Sequence, residues 1–153
     1  METHRTIRVE EFYPWHVEVM DLDERESHHM LLDPNLFETL VRVKQESEQA
    51  VSFICDGYIL CCSGFKTLWP GVGECWTIPS VHLYEYRMAY ARTIKNYIDG
   101  IIQTCKYHRL QTSCPDDDSH RKWMKFLGFA EGCVRHQFTS DRVDYREFER
   151  ITP

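Results

Sequence analysis

Asp117-Asp118-Ser119-His120-Arg121-Lys122-Trp123-Met124-Lys125-Phe126-Leu127-Gly128-Phe129 carries a helix start, an amphipathic helix, a glycine stop and the first residue of a strand. Asp118 or Ser119 is placed to accept hydrogen bonds from the open amides of a first helical turn. Trp123, Phe126 and Leu127 fall on one helical face, and Gly128 supplies the positive φ of a helix exit. The segment therefore predicts a helix packed on a sheet, followed at once by the strand that Phe129 begins.

Working outward from it, Tyr107 to Cys114 reads as a strand ended by Pro115, and Phe129 to Phe138 and Val143 to Ile151 as two closing strands. Further back, Met88, Ala91, Ile94, Ile98, Ile101 and Cys105 recur at helical spacing, which predicts one long helix from Val81 to Cys105. Ala50–Cys55 and Tyr58–Phe65 are β-prone runs separated by Asp56-Gly57, a strong hairpin signal. Leu68 to Gly73 reads as a turn-rich connector before a strand at Glu74–Ile78 that Pro79-Ser80 ends. Near the start, Thr6–Glu10 alternates as a strand. Pro14 opens a helix whose Trp15, Val19 and Leu22 share a face, and Asp33-Pro34 opens a second, with Asp33 as cap. The sum is an α/β (α+β) domain over residues 1–153. Its central sheet is mixed and mostly antiparallel, flanked by helices on both faces, because the long helix crosses between parallel neighbours.

Composition narrows the function classes. A formal charge of −6 argues against a dedicated nucleic-acid binder, and no apolar run reaches the length of a membrane span. The opening Met-Glu-Thr-His-Arg lacks the apolar core of a secretory signal, which sets the expected location in a cytoplasm. Seven cysteines, an odd number in apolar settings and without a C-x-x-C pair, read as reduced thiols, and no metal site is assigned. Cys61 and Cys62 are expected on opposite faces of one strand. His108-Arg109 and His120-Arg121-Lys122 are basic clusters that either join into an anion patch or form a solvated face.

The element order, together with Asp117-x-x-His120-x-x-Trp123-Met124-x-x-Leu127-Gly128-Phe129, resembles the Gcn5-related N-acetyltransferase (GNAT) superfamily. The typical pattern there is Asn-x-x-Ala-x-x-Leu-Tyr-x-x-x-Gly-Phe. The Asp56-Gly57 hairpin, the Glu74-Cys75-Trp76 strand followed by a long helix and the Ser119-His120 helix start are similar to short phage-encoded chains, among them the internal virion protein A family of podoviruses. The resemblance implies a GNAT-like fold and acetyl-CoA as cofactor. Trp76, Ile78, Ser80, Val81, His82, Asp117 and Met124 are then the cofactor-binding candidates, with Glu74 and His120 as catalytic ones. A glycine-rich turn ahead of the long helix cradles the cofactor pyrophosphate in active relatives. This chain has Thr77-Ile78-Pro79-Ser80-Val81-His82 instead, with no glycine and one donor fewer, leaving Ser80 and the amides of Val81, His82 and Leu83 as a reduced anion site.

Glu74 stands where the family often places its base. It reads either as that base, partly buried beside Cys75 and Trp76, or as an edge carboxylate facing water. The position of the usual acid, a Tyr, falls on Met124, which donates no proton. His120, Ser119 or Cys114 are its substitutes, His120 also fitting a helix-start residue bonded to backbone. Two functions follow. One is a phage-encoded GNAT-fold protein with a degenerate acetyl-CoA site, virion-associated or assembly-accessory, recognising phage structural or host proteins through surface aromatics such as Tyr84, Tyr86, Tyr90 and Trp69. The other is an active acyl-CoA-dependent N-acetyltransferase modifying a host protein or small amine. Both place the chain in a host cytoplasm, the first also in the virion.

Overall fold

A computed structural model describes residues 6–153; the opening five, read above for the absence of a secretory signal, lie outside the described residues. The sheet has seven strands in the order β1-β2-β3-β4-β5-β7-β6. They are β1 (Arg8–Glu11), β2 (Gln49–Cys55), β3 (Tyr58–Trp69), β4 (Val72–Pro79), β5 (Arg109–Pro115), β6 (Ala130–Arg135) and β7 (Tyr145–Ile151). Every pairing is antiparallel except β4 with β5, which the long helix α4 (Arg87–Cys105) joins as a crossover. The expected mixed sheet with helices on both faces is the architecture observed.

The hairpin at Asp56-Gly57 has φ values of 51° and 80°, the paired positive φ of a type I′ turn. The connector expected over Leu68–Gly73 shrinks to Pro70-Gly71. Proline fixes the first turn residue, Gly71 takes φ 84°, and β3 and β4 run on to either side. The first helix is shorter than its apolar spacing suggests: α1 is Pro14–Val19, and a further helix α2 (Glu24–Leu31), capped by Asp23 on the Arg25 amide, was not signalled. α2 buries only Ser27, so it has no apolar stripe to read. In α3 (Leu36–Glu46) Asp33 lies ahead of the cap position, accepting from the Asn35 amide and the Thr39 hydroxyl. Val81–Tyr86 forms a 3-10 turn before α4 rather than its first turns. In α5 (Asp118–Phe126) the cap is Asp117, not Asp118 or Ser119, and accepts from the His120 amide at 2.8 Å. The buried α5 positions are Met124 and the following Leu127, whereas Phe126 is half exposed.

Two apolar layers flank the sheet. Phe53, Cys61, Phe65, Leu110 and Phe148 meet Tyr90, Ile94, Ile98 and Ile101 of α4 and Met124 of α5. On the opposite face Phe12, Cys62 and Ile78 pack under α1 and α3 with Val17, Met20 and Leu40. Cys61 and Cys62 thus enter different cores, as strand alternation requires. His16 is buried in the second layer with Ser52 Oγ at 2.8 Å from its Nδ1, and burial pushes its pKa below the ordinary value. No helix among the described residues is long and apolar enough to cross a membrane.

Candidate functional site at the split between two parallel strands

β4 and β5 pair over only three residues, Val72 with Arg109, Gly73 with Leu110 and Glu74 with Gln111. Beyond them the ladder gives way to a side-chain bond, Thr112 Oγ1 donating to the Cys75 carbonyl at 3.0 Å. The strands then part, β4 ending at the 3-10 turn and β5 at the start of α5. Every candidate named from sequence lies on or near this split, yet strand alternation sends them to different places.

Glu74 faces the side of the sheet that α1–α3 leave uncovered beyond β4. It is exposed, as the edge-carboxylate reading expects and the partly buried base does not. Its Oε2 accepts from Gln111 Nε2 at 3.1 Å, Gln111 accepts from Arg109 Nε at 3.0 Å, and Arg109 pairs with Glu149. A pocket of about 140 Å³ opens here, bordered also by the Arg135–Glu147 ion pair. Trp76 and Ile78 alternate onto the same face but under α1 and α3. Trp76 stands against Phe12 with ring centroids 5.3 Å apart and donates to Ser47 Oγ at 3.0 Å, and Ile78 is buried.

At the end of β4 the polar groups are engaged within the chain. The Ser80 amide donates to the Leu60 carbonyl of β3 at 2.9 Å, so the neighbouring Pro79 carbonyl and Val81 amide point to the opposite edge, toward the split. There the segment between α1 and α2 pairs with them. Asp23 N–H donates to Pro79 O at 3.2 Å, Val81 N–H donates to Asp21 O at 2.9 Å, and Leu22 lies opposite Ser80 in an antiparallel bridge. The Ser80 side chain caps the His82 amide at 3.2 Å, and the Leu83 amide donates to the Ser80 carbonyl at 3.3 Å. The His82 ring stacks on Tyr58 at 4.1 Å, with its Nε2 3.0 Å from the Asp21 carboxylate. All three amides expected as an anion site are thus hydrogen-bonded to protein oxygens.

On the other wall His120 is gripped from two sides. Its Nδ1 lies 2.8 Å from each Asp117 carboxylate oxygen, and its Nε2 meets Glu26 of α2. Burial acts to lower the His120 pKa, but the carboxylates of Glu26 and Asp117 outweigh it and the net shift is upward. α2 also reaches β7, where the Tyr145 hydroxyl donates to the Glu26 carbonyl at 3.5 Å, so it lies across the mouth of the split. Behind it Tyr90 of α4 and Trp123 of α5 stack at 5.7 Å, with Cys61 Sγ donating to the Tyr90 hydroxyl at 3.2 Å. Met124 points into the core instead. Burial, then the nearby Glu26 charge, pushes the Cys114 thiol up to about 12, so it keeps its proton.

The two basic clusters do not join, since Arg109 and Arg121 stand at opposite ends of β5. Arg121 is bound to Asp116 and Asp118, and Arg109 to Glu149. Of the four aromatics named for surface contact, Tyr84 and Trp69 are exposed whereas Tyr86 and Tyr90 are buried. Sequence reasoning missed Glu26 and Asp21, which stand at the split only because α2 and the segment before it fold over β4. Among the described residues no cluster of His, Cys, Asp and Glu is arranged to hold a metal ion.

A raised His120 pKa stabilises the fold while the ring is charged. That contribution is full below the unfolded value of about 6.5 and is lost as pH rises through the folded pKa. His120→Gln is therefore expected to lower the urea midpoint most near about pH 6 and progressively less toward about pH 9. A gap independent of pH across that range rules out the charged clasp.

No family model and no curated protein matches the sequence. Solved structures do. The fold is similar to Ard1 from Thermoplasma volcanium, with 13% identity over 96% of this chain and 98% of that one and a TM-score of 0.76. It is similar to a GNAT family acetyltransferase from Elizabethkingia anophelis with acetyl-CoA bound, at 11% identity, 95% and 98% coverage and a TM-score of 0.65. YncA from Salmonella typhimurium with its cofactor acetyl-CoA gives 9% identity, 95% and 93% coverage and a TM-score of 0.66. At this identity the likeness shows the GNAT fold.

Proposed function

We propose that this chain is a GNAT-fold protein whose acyl-CoA cleft is closed by its own residues and which acts by surface recognition, as a virion-associated or assembly-accessory protein of a phage. The observation that carries the reading is the pairing of Asp21–Asp23 with Pro79–Val81 on the open edge of β4. A cofactor threading the split needs that edge and the amides at the start of the following turn. Here the edge carbonyl of Pro79 accepts from the Asp23 amide, the turn amides donate to the Asp21 carbonyl and to Ser80, and the Asp21 carboxylate adds a negative charge beside His82 where a pyrophosphate would seek a positive one. The residues present therefore do not fit acetyl-CoA. The phage setting rests on the sequence likeness to short phage-encoded chains, which makes phage structural or host proteins the partners.

Titrating acetyl-CoA into the full chain tests this. No heat and no shift of thermal midpoint are expected up to millimolar cofactor, whereas a ligand at about a hundred times its Kd stabilises by about 2.7 kcal/mol and raises the midpoint by several degrees. Micromolar binding that Val81→Trp abolishes overturns the closed cleft. Val81 is half exposed, so that substitution leaves the core intact.

One observation favours a second reading, that of a working N-acetyltransferase: Glu74 lies at the split with its carboxylate on an open pocket, as a general base facing an acceptor amine requires. The same titration separates the two, since this reading needs the cofactor to bind.

A further inference from the structure

The layer formed by α1, α2 and α3 holds a groove of about 480 Å³, the larger of the two concavities described here. It is separate from the pocket at Glu74. Leu22, Leu31 and Phe37 supply apolar wall, and Leu31 and Phe37 remain 51% and 49% exposed. Large apolar side chains left open around one concavity mark a contact surface more than isolated ones do. Every charged residue lining the groove is acidic: Glu18 where α1 ends, Asp21 in the connecting segment and Glu24 where α2 begins. Among the described residues Glu18 and Glu24 take part in no ion pair, and no Lys or Arg lines the groove.

We propose that this groove docks an amphipathic helix of a partner protein whose apolar stripe is flanked by Lys or Arg. The proposal rests on the surface-recognition reading and names the chemistry of the partner. The choice of occupant follows from the charge. An apolar floor alone accepts any hydrophobic segment, but the exposed carboxylates of Glu18 and Glu24, with Asp21 beside His82, reject an acidic one and reward cations set beside an apolar stripe. A helix with apolar residues at i, i+3, i+4 and i+7 and basic neighbours presents that pattern on one face. The net charge of −6 draws such a segment in from a distance. Because Asp21 and Leu22 line the groove and also belong to the segment paired with β4, a docked helix presses on the closure of the split.

The test uses the full chain and a fluorescein-labelled peptide of about 14 residues, with Leu at helical core positions and Lys elsewhere, beside a Leu/Glu peptide of the same pattern. Fluorescence anisotropy is expected to show saturable binding of the Leu/Lys peptide alone. Phe37→Asp and Leu31→Asp, both at half-exposed positions, are each expected to weaken it at least about tenfold, and Glu18→Lys with Glu24→Lys by a similar factor. Binding that survives Phe37→Asp overturns the proposal, because net charge alone then explains it. So do equal binding of the Leu/Glu peptide, no binding of either, and a concentration-dependent dimer that Phe37→Asp abolishes, which assigns the groove to a second copy. Peptide failure with acetyl-CoA silent overturns the docking site alone. Acetyl-CoA binding with the peptide site intact overturns the closed cleft alone.

Discussion

Phe53→Ala is expected to remove about 3–5 kcal/mol of folding stability, among the largest losses from a single apolar truncation in the described residues. Phe53 is wholly buried in the middle of β2, with the rings of Tyr90 and Tyr97 edge-on to it at 5.7 and 5.6 Å. Those tyrosines belong to α4, a long helix with neighbours on both sides of Phe53, so the vacated space cannot close by a small shift of one side chain. Removing the ring loses its transfer energy and leaves a cavity between sheet and helix. Urea unfolding followed by tryptophan fluorescence is expected to show the loss, and the thermal midpoint to fall by roughly 10 °C. A change below about 1 kcal/mol contradicts the packing of α4 on β2.

Gly64→Ala is the second large effect, and it acts by excess volume. A Cβ at Gly64 stands 2.5 Å from three atoms of the Trp76 indole. That indole is fixed by Phe12 against its edge and by its hydrogen bond to Ser47, so it has no free end to swing away. Relieving the overlap needs either a new Trp76 rotamer, which breaks the Ser47 bond, or a wider spacing of β3 and β4. About 2–3 kcal/mol is the expected cost, together with altered tryptophan emission. Because Trp76 lies two residues beyond Glu74, amide exchange is expected to rise along β4 as well. Unchanged stability and emission would show that the indole yields.

The sequence spoke clearly wherever a local chemical rule decided the structure. Asp56-Gly57 requires positive φ at both residues, so its hairpin was legible, and so was the crossover, from the apolar spacing of α4 and the strands to either side of it. Boundaries were lost where two rules compete. Pro70-Gly71 reads as the centre of a loop, but the strands beside it are held by long pairing and reach nearly to the proline. α2 has only Met30 and Leu31 as apolar residues, too few for a helical stripe, and its position is set by contacts with β4, α5 and β7 that are distant in the chain. For the same reason Glu26 and Asp21 could not be named as site residues: each is one acidic residue among 24 until the fold brings it to the split. Glu74 was named through the family resemblance, which puts a base on that strand, but its exposure depends on which helices cover that strand. Met124 shows the limit of register by analogy, since the helix turns it inward where a family pattern suggested the cleft.

A sheet whose strands part in the middle has a raw edge inside the molecule, not only at its rims. Unsatisfied strand edges recruit whatever extended chain is near, including that of another molecule. Here Asp21–Asp23 covers the far end of that edge, across a sequence separation far longer than that of the β2–β3 or β3–β4 hairpin. A pairing so distant in sequence is expected to form after those hairpins during refolding, which makes the connection between two short helices the guard against misassembly at that edge.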